Sequence, residues 1–208
     1  MQNEVFLKKV VSENEVTNGA KNLIGVNEPY VVKVKIMGDC DYLYHRWNAE
    51  AIEAKSLSSK NSKARKTDDI ENFVYRNHEG FLCIPGEQLR MSIVYAAKFK
   101  QDPRSSRKSA MDLYKAGIIV LTPLASVGKK EWDYEDKRRV VIMRSSISRT
   151  RPALKEGWEA EFDVLVNVPE YIAPLDLHSV ITTAGKLCGI GDFRPTYGRF
   201  VVSSFQTI

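Results

Sequence analysis

The sequence predicts an α+β domain of ferredoxin-like (RRM-like) type. This is a βαββαβ chain whose antiparallel sheet is covered on one face by two helices, here with a basic insertion and a β-hairpin added. Three observations predict it. The run from Tyr30 to Ile36 alternates apolar and basic residues at period two, two amphipathic segments open at Pro85-Gly86 and at Pro174, and strand-like runs lie between and after them. The long elements therefore run strand, helix, strand, strand, helix, strand. The 208 residues fit one domain, 1–208, with insertions at about 41–76 and about 125–160.

Residues 1 to 28 are mixed, with turn formers at Asn18-Gly19 and Gly25. In the first strand Tyr30, Val32, Val34 and Ile36 form a face to bury, while Lys33 and Lys35 form a basic one; Gly38 to Asp41 ends it. Tyr42, Tyr44, His45, Arg46 and Trp47 open the insertion, which passes through a short helix at about 49–55 into a serine and lysine stretch too polar to bury much apolar surface. Phe73 to Tyr75 and Gly80 to Ile84 predict a small hairpin.

Pro85-Gly86-Glu87 opens a helix to about Lys100, with Leu89, Ile93 and Ala96 or Ala97 inward. Glu87 in its first turn and Lys98 and Lys100 in its last suit the helix dipole. Ser105 or Ser106 is placed to cap a short helix that Gly117 ends in a left-handed conformation. Ile118 to Thr122 predicts a buried strand, Arg139 to Ile147 another, and the alternation from Trp158 to Val166 a third. Pro174 starts the last helix, with Leu177, Val180 or Ile181, Ala184 and Leu187 as its apolar stripe, Gly189 as its C-cap, and Phe200 to Phe205 as the closing strand.

A hydrophobic content of 43% and 27% charged residues describe an ordinary globular chain. The N-terminus has no signal-like apolar core and no window approaches the roughly 18 apolar residues of a membrane span, so a cytoplasmic protein without a membrane partner is expected. Cys40, Cys83 and Cys188 are too far apart for a zinc site and odd in number, which predicts reduced thiols near the core. His45, His78 and His178 show no metal-ligand spacing, and no metal is expected.

The net charge of +5 is unevenly spread. Five cations and no anion lie between Lys55 and Lys66, seven and no anion between Lys137 and Lys155, and Arg104, Arg107 and Lys108 form a third cluster. Such blocks attract polyanions and release counterions on binding, which favours a nucleic acid; a solvated face is the plain alternative.

Residues 189 to 200 read Gly-Ile-Gly-Asp-Phe-Arg-Pro-Thr-Tyr-Gly-Arg-Phe. Glycine at 189, 191 and 198 permits positive φ and the approach of backbone N–H groups to phosphate. Lys186, Arg194 and Arg199 supply cations nearby, and Phe193 and Tyr197 offer stacking surfaces. No Gly-Lys-Ser or Gly-Lys-Thr is present, and the loop follows a helix rather than a first strand, so neither a nucleotide nor any other cofactor is expected.

Three segments, in order, resemble the repeat-associated mysterious protein (RAMP) superfamily of CRISPR effector complexes, above all its guide-RNA-binding backbone subunits. Phe81 to Arg90 is similar to that family's Ile-Pro-Gly motif, with Glu87 and Gln88 in place of a small-residue pair and Arg90 where lysine is usual. Arg139 to Phe162 resembles the region after the family's thumb hairpin, and Gly189 to Val202 its glycine-rich loop. The resemblance implies a sequence-tolerant binder of single-stranded RNA, guide RNA included, whose copies stack head to tail beside other effector subunits. It places the loop on the RNA backbone and the hairpin between bases, with Lys129, Lys130, Trp132 and Tyr134 at the hairpin tip.

The candidate nucleic-acid-binding set is Arg46, Lys60, Lys63, Arg65, Lys66, Arg90, Arg144, Arg149, Arg151, Lys186, Gly189, Gly191, Arg194, Tyr197, Gly198 and Arg199. RNA comes first, with single-stranded DNA open. Two other readings stay open. Asp39 and Asp41 follow the first strand, where some relatives carry a catalytic aspartate, and would make the chain a metal-dependent endoribonuclease. A filament- or ring-forming assembly protein of a phage or mobile element would need an exposed apolar patch.

Overall fold

The computed structural model describes residues 28–47, 53, 57, 69–142 and 145–208. In chain order its elements are β1 (Tyr30–Gly38), β2 (Tyr42–Leu43), β3 (Cys83–Pro85), α1 (Gly86–Ala96), α2 (Met111–Gly117), β4 (Ile118–Val120), β5 (Leu124–Ser126), β6 (Tyr134–Ile142), β7 (Ser145–Leu154), β8 (Glu159–Val166), α3 (Pro174–Thr183) and β9 (Phe200–Thr207). Among the described residues no helix is long and apolar enough to cross a membrane.

β1 lies inside a four-stranded sheet of order β4-β8-β1-β9, antiparallel at every pairing. Its alternation works as the pattern requires: Val32, Val34 and Ile36 are buried, and Lys33 and Lys35 point to the other face. The buried face meets Leu89, Ile93, Leu177 and Ile181 from α1 and α3 in one core. A smaller sheet, β2-β7-β6, carries the β6–β7 hairpin, and β3 pairs with β5. The elements named form a mixed α+β fold with three α-helices and antiparallel sheets among the described residues.

The start of α1 shows why Ile84-Pro85-Gly86 stands there. Pro85 is the N-cap at φ −64° and offers no side-chain cap bond. Gly86 instead donates its N–H to the Pro123 carbonyl at 3.0 Å, and a side chain at Gly86 would overlap the Thr122 carbonyl oxygen and Val120. Glycine at this point lets the helix begin in contact with the β4–β5 connection.

Several elements differ from the sequence reading. Arg139 to Ile147 is not one strand but parts of β6 and β7, whose ladder runs from Tyr134↔Ala153 to Ile142↔Ser145. The sequence across 139–147 carries no glycine, proline or asparagine to punctuate the change from one strand to the next. Lys129, Lys130, Trp132 and Tyr134 therefore sit at the hairpin base rather than its tip: Trp132 packs on the core and the Lys129 carbonyl accepts from the Leu82 N–H.

The small hairpin is present but short: besides the Arg76↔Leu82 bridge, Cys83 donates to the Tyr75 carbonyl at 2.8 Å and Asn77 to Phe81 at 3.1 Å, while β3 also pairs with β5 and Ile70–Phe73 forms a 3-10 turn. α2 begins after Ala110, not at Ser105 or Ser106; those serines belong to turns organised by Asp102, which accepts the Arg104 N–H and pairs with its guanidinium. Gly117 closes α2 without a positive φ. β4 is a sheet edge rather than a buried strand, and Ile119 is exposed. Finally, α3 passes into a π turn at Ala184–Cys188, which turns Leu187 to solvent and lays Gly185 against the Phe200 carbonyl.

Gly86→Val is expected to destabilise the fold by about 1–3 kcal/mol through overpacking against Thr122. Urea unfolding should show a lower midpoint with an unchanged slope. An unchanged midpoint would mean that α1 starts elsewhere.

Candidate nucleic-acid interface

The glycine-rich loop between the π turn and β9 is folded onto β2 and α1 by its own amides. Gly189 donates to the Ala184 carbonyl at 2.8 Å, Ile190 to Gly198 at 2.9 Å, Asp192 to Leu43 at 3.1 Å and Gly198 to Asp41 at 2.8 Å. Gln88 Oε1 accepts both the Gly191 N–H at 3.1 Å and the Tyr42 hydroxyl at 2.8 Å. Gly191 has φ 79°, and a side chain there would strike the Tyr42 ring and the Leu43 carbonyl. This corrects the expectation that Gly189, Gly191 and Gly198 offer N–H groups to phosphate, since each of those amides already has an internal acceptor. It also accounts for the glutamine at position 88, whose side-chain oxygen serves both donors.

The hairpin holds the loop from the other side. Asp136 and Arg138 on β6 and Arg151 on β7 share one face, with Asp136 opposite Arg151 and Arg138 opposite Arg149. Arg138 lies over the rings of Phe193 at 5.0 Å and Tyr197 at 4.7 Å, donates to the Tyr197 hydroxyl, and is fixed by Asp136. Arg151 is buried, stacks on Phe193 at 4.6 Å and pairs with Asp192.

His45 Nδ1 reaches the same Asp192 carboxylate at 3.3 Å. Partial burial alone would raise the Asp192 carboxyl; the bond to His45, the Arg151 charge and the Phe193 N–H outweigh it and hold it down to about 2. Tyr197 and Arg151 are thus structural members of a clamp.

Other candidate residues separate in the same way. Arg90 is tied down by Glu87 at 3.1 Å and by the carbonyls of Ile118 at 3.2 Å and Lys115 at 2.6 Å, so it fastens α1 to the end of α2. Three of its five donors are thus spent within the fold. Asp41 accepts from the Tyr134 hydroxyl at 2.6 Å and the Glu156 N–H at 2.9 Å, so both its oxygens serve the joint between β1, the hairpin base and the loop.

Asp39 is exposed and lies 3.6 Å from the Arg199 guanidinium. Among the described residues no group of three or more His, Cys, Asp or Glu side chains is placed to hold a metal ion. Arg46 is exposed over Tyr75 at 5.6 Å; Tyr44 is buried, and Trp47 is 77% exposed. Arg149 lies on the hairpin. Lys60, Lys63, Arg65, Lys66 and Arg144 lie outside the described residues.

Outward-facing cations gather elsewhere. A cleft of about 450 Å³ is lined by Tyr95, Lys98, Cys188 and residues 191–194. Arg194 and the neighbouring Lys186 are exposed, and among the described residues Lys98, Lys186 and Arg194 make no ion pair. Tyr95 is 45% exposed beside them. In the sequence Lys98 reads as a helix-dipole partner, Gln88 only as a departure from a motif and Arg138 only as one cation of a block, and nothing marks Tyr95; the glycines beside Asp192 are the one signal of its place.

The open sheet face has the opposite character. Lys35 pairs with Glu159 at 2.8 Å, and Lys33 lies 3.4 Å from Glu161 and 4.0 Å from Asp163. Three carboxylates there outweigh two neutralised lysines. That charge balance gives the open face no attraction for a polyanion.

Asp192 is ionised in the folded and unfolded chain at pH 7, so its stabilisation is fully present there. As the pH falls below about 4 the unfolded chain binds the proton first, and the contribution fades as the pH approaches about 2. Asp192→Asn should lower stability at pH 7 by ~2 kcal/mol and lose that part of the acid-induced decline. Urea midpoints of both proteins between pH 7 and pH 2 check this; parallel curves would exclude Asp192 as the titrating group.

The chain matches no family model, and no curated protein matches it. Among solved structures, its fold is similar to a chain of the structure described as "Cryo-EM structure of the Type III-B Cmr-beta bound to cognate target RNA", with a TM-score of 0.51, 10% identity, and coverage of 100% of this chain and 68% of that one. At that identity the likeness is one of fold: the mixed α+β arrangement resembles a subunit of an RNA-bound Type III-B CRISPR effector.

Proposed function

We propose that this chain is a sequence-tolerant, single-stranded RNA-binding subunit of a multi-subunit effector assembly, similar in role to the backbone subunits of CRISPR effectors. Its copies associate along the strand, as antiviral defence complexes of that kind require. The sheet order β4-β8-β1-β9, with α1 between β1 and β4 and α3 between β8 and β9, is read as the split βαβ order of a ferredoxin-like domain spanning 1–208. The fold likeness to a chain of an RNA-bound effector supports this reading.

The observation that carries the proposal is the cleft at 191–194. Lys98 and Arg194 line it beside the exposed ring of Tyr95, Lys186 lies two residues before its Cys188 wall, and none of the three makes an ion pair among the described residues, while the lysines of the sheet face are neutralised. Free cations beside an aromatic ring are the parts of a sequence-tolerant single-strand site: phosphates meet the charges and a base meets the ring. Arg199, shared with Asp39, and the exposed Arg46 are the other described cations assigned to binding here. The clamp of Arg138, Arg151 and Asp192 keeps Phe193 and the loop in place for it. Nuclease chemistry at Asp39 and Asp41 has less support, since a metal ion would have to displace the two partners of the Asp41 carboxylate.

Binding of labelled single-stranded RNA and DNA should weaken linearly in log salt. The Lys98→Ala, Lys186→Ala, Arg194→Ala triple variant should bind more weakly, with a slope shallower by about 2, roughly 0.7 for each cation removed. Equal affinity and slope for wild type and variant would overturn the proposal.

A further inference from the structure

The outer strand β9 carries an unusual edge. It pairs with β1 on one side and with no strand on the other among the described residues. From Val202 to Thr207 its outward N–H and C=O groups make no backbone hydrogen bond among the described residues. Sheet edges of folded proteins are normally blunted by charge, proline, a bulge or short length, because a bare edge templates pairing with another chain. The eight residues of β9, Phe-Val-Val-Ser-Ser-Phe-Gln-Thr, carry no charge and no proline and have a single bulge, at Ser203, whereas β1, β6, β7 and β8 each carry two or more charged residues. The opposite edge, β4, is only three residues long.

We infer that the β9 edge is a strand-pairing surface, and that its occupant is β9 of a second copy of this chain, antiparallel about a two-fold axis. Two features favour self-pairing. The first is pattern. A bulge between Lys35 and Ile36 of the β1 pairing leaves Ser203 without a partner there, and Val202 and Phe205 both pack, half-buried, on the core side. In a two-fold pairing centred between Ser203 and Ser204, Val202 of each copy faces Phe205 of the other, and the serines face each other. Each apolar residue then gains a cross-strand apolar neighbour on the helix-covered face.

The second is charge. With a net charge of +5, two copies repel over much of their surface. The β9 edge is free of charge, and the lysines of the strand beside it are neutralised by Glu159, Glu161 and Asp163. Two copies therefore meet little repulsion along this edge. The contact is closed and isologous, so it joins two copies, or two arrays, rather than lengthening one. It goes beyond the nucleic-acid reading and does not depend on it.

Sedimentation equilibrium of the protein without nucleic acid, from about 1 µM to about 1 mM, tests the pairing. A monomer–dimer equilibrium is expected in wild type. The double variant Ser203→Lys, Gln206→Lys places two cations on exposed edge positions and should raise the dissociation constant at least tenfold. Ile119→Lys on the β4 edge should leave it unchanged. Hydrogen exchange should show amide protection at 202–207 rising with protein concentration, and unchanged protection in α1 reports that the variants fold. A protein monomeric throughout, or a dimer indifferent to the edge lysines, overturns the inference. So does protection at 202–207 that appears only when a different protein is added, which would assign the edge to a foreign strand.

Discussion

One side-chain oxygen holds three parts of this molecule in register. Gln88 Oε1, on the first turns of α1, receives the Tyr42 hydroxyl from β2 and the Gly191 N–H from the loop. Tyr42 is fully buried and burial pushes its phenol well above the usual range, so the hydroxyl stays a donor and must find an acceptor. Losing that acceptor would leave a buried donor unsatisfied, which costs more than the net worth of the bond itself. Because Gly191 has no side chain, its backbone can come close enough to the Tyr42 ring for the bond to form. Helix, small sheet and loop are therefore set together or not at all.

The loop's inward amides decide which groups face out. A glycine-rich loop is usually credited with N–H groups for an anion, but here those donors are spent on Ala184, Gly198, Asp41 and Gln88. What remains for a ligand is side-chain chemistry. Phe193 and Tyr197 are stacked against Arg138 and Arg151 and anchored through Asp136 and Asp192, so the hairpin braces the loop. Arg194, Lys98, Lys186 and Tyr95 lie beyond that brace, and among the described residues the three cations have no carboxylate partner.

Charge is sorted between the faces by strand register rather than by composition. The pairing of β1 with β8 brings Lys33 and Lys35 beside Glu159, Glu161 and Asp163, which consumes the basic face of the first strand. The same +5 chain thus has a neutral, slightly acidic sheet face and a basic cleft on the side of α1 and the loop.

Period and punctuation in the sequence by themselves determined the element order, the buried face of β1, the proline starts of α1 and α3, and the loop at 189–199. These are local properties: an alternating strand or a proline at the first helical turn is set by its own neighbours. The β6–β7 hairpin, the π turn that exposes Leu187, and the use of Arg90 as a fastening were not legible, because each depends on what packs against it. The roles of the arginines were the least legible of all. Arg151 and Arg194 look alike in a row of cations, yet one is buried on Phe193 and the other stands at the mouth of the cleft. Only the tertiary structure separates them, since an arginine's role follows from which carboxylate or carbonyl lies within reach, and those partners lie 41 residues away for Arg151 with Asp192 and 28 for Arg90 with Ile118.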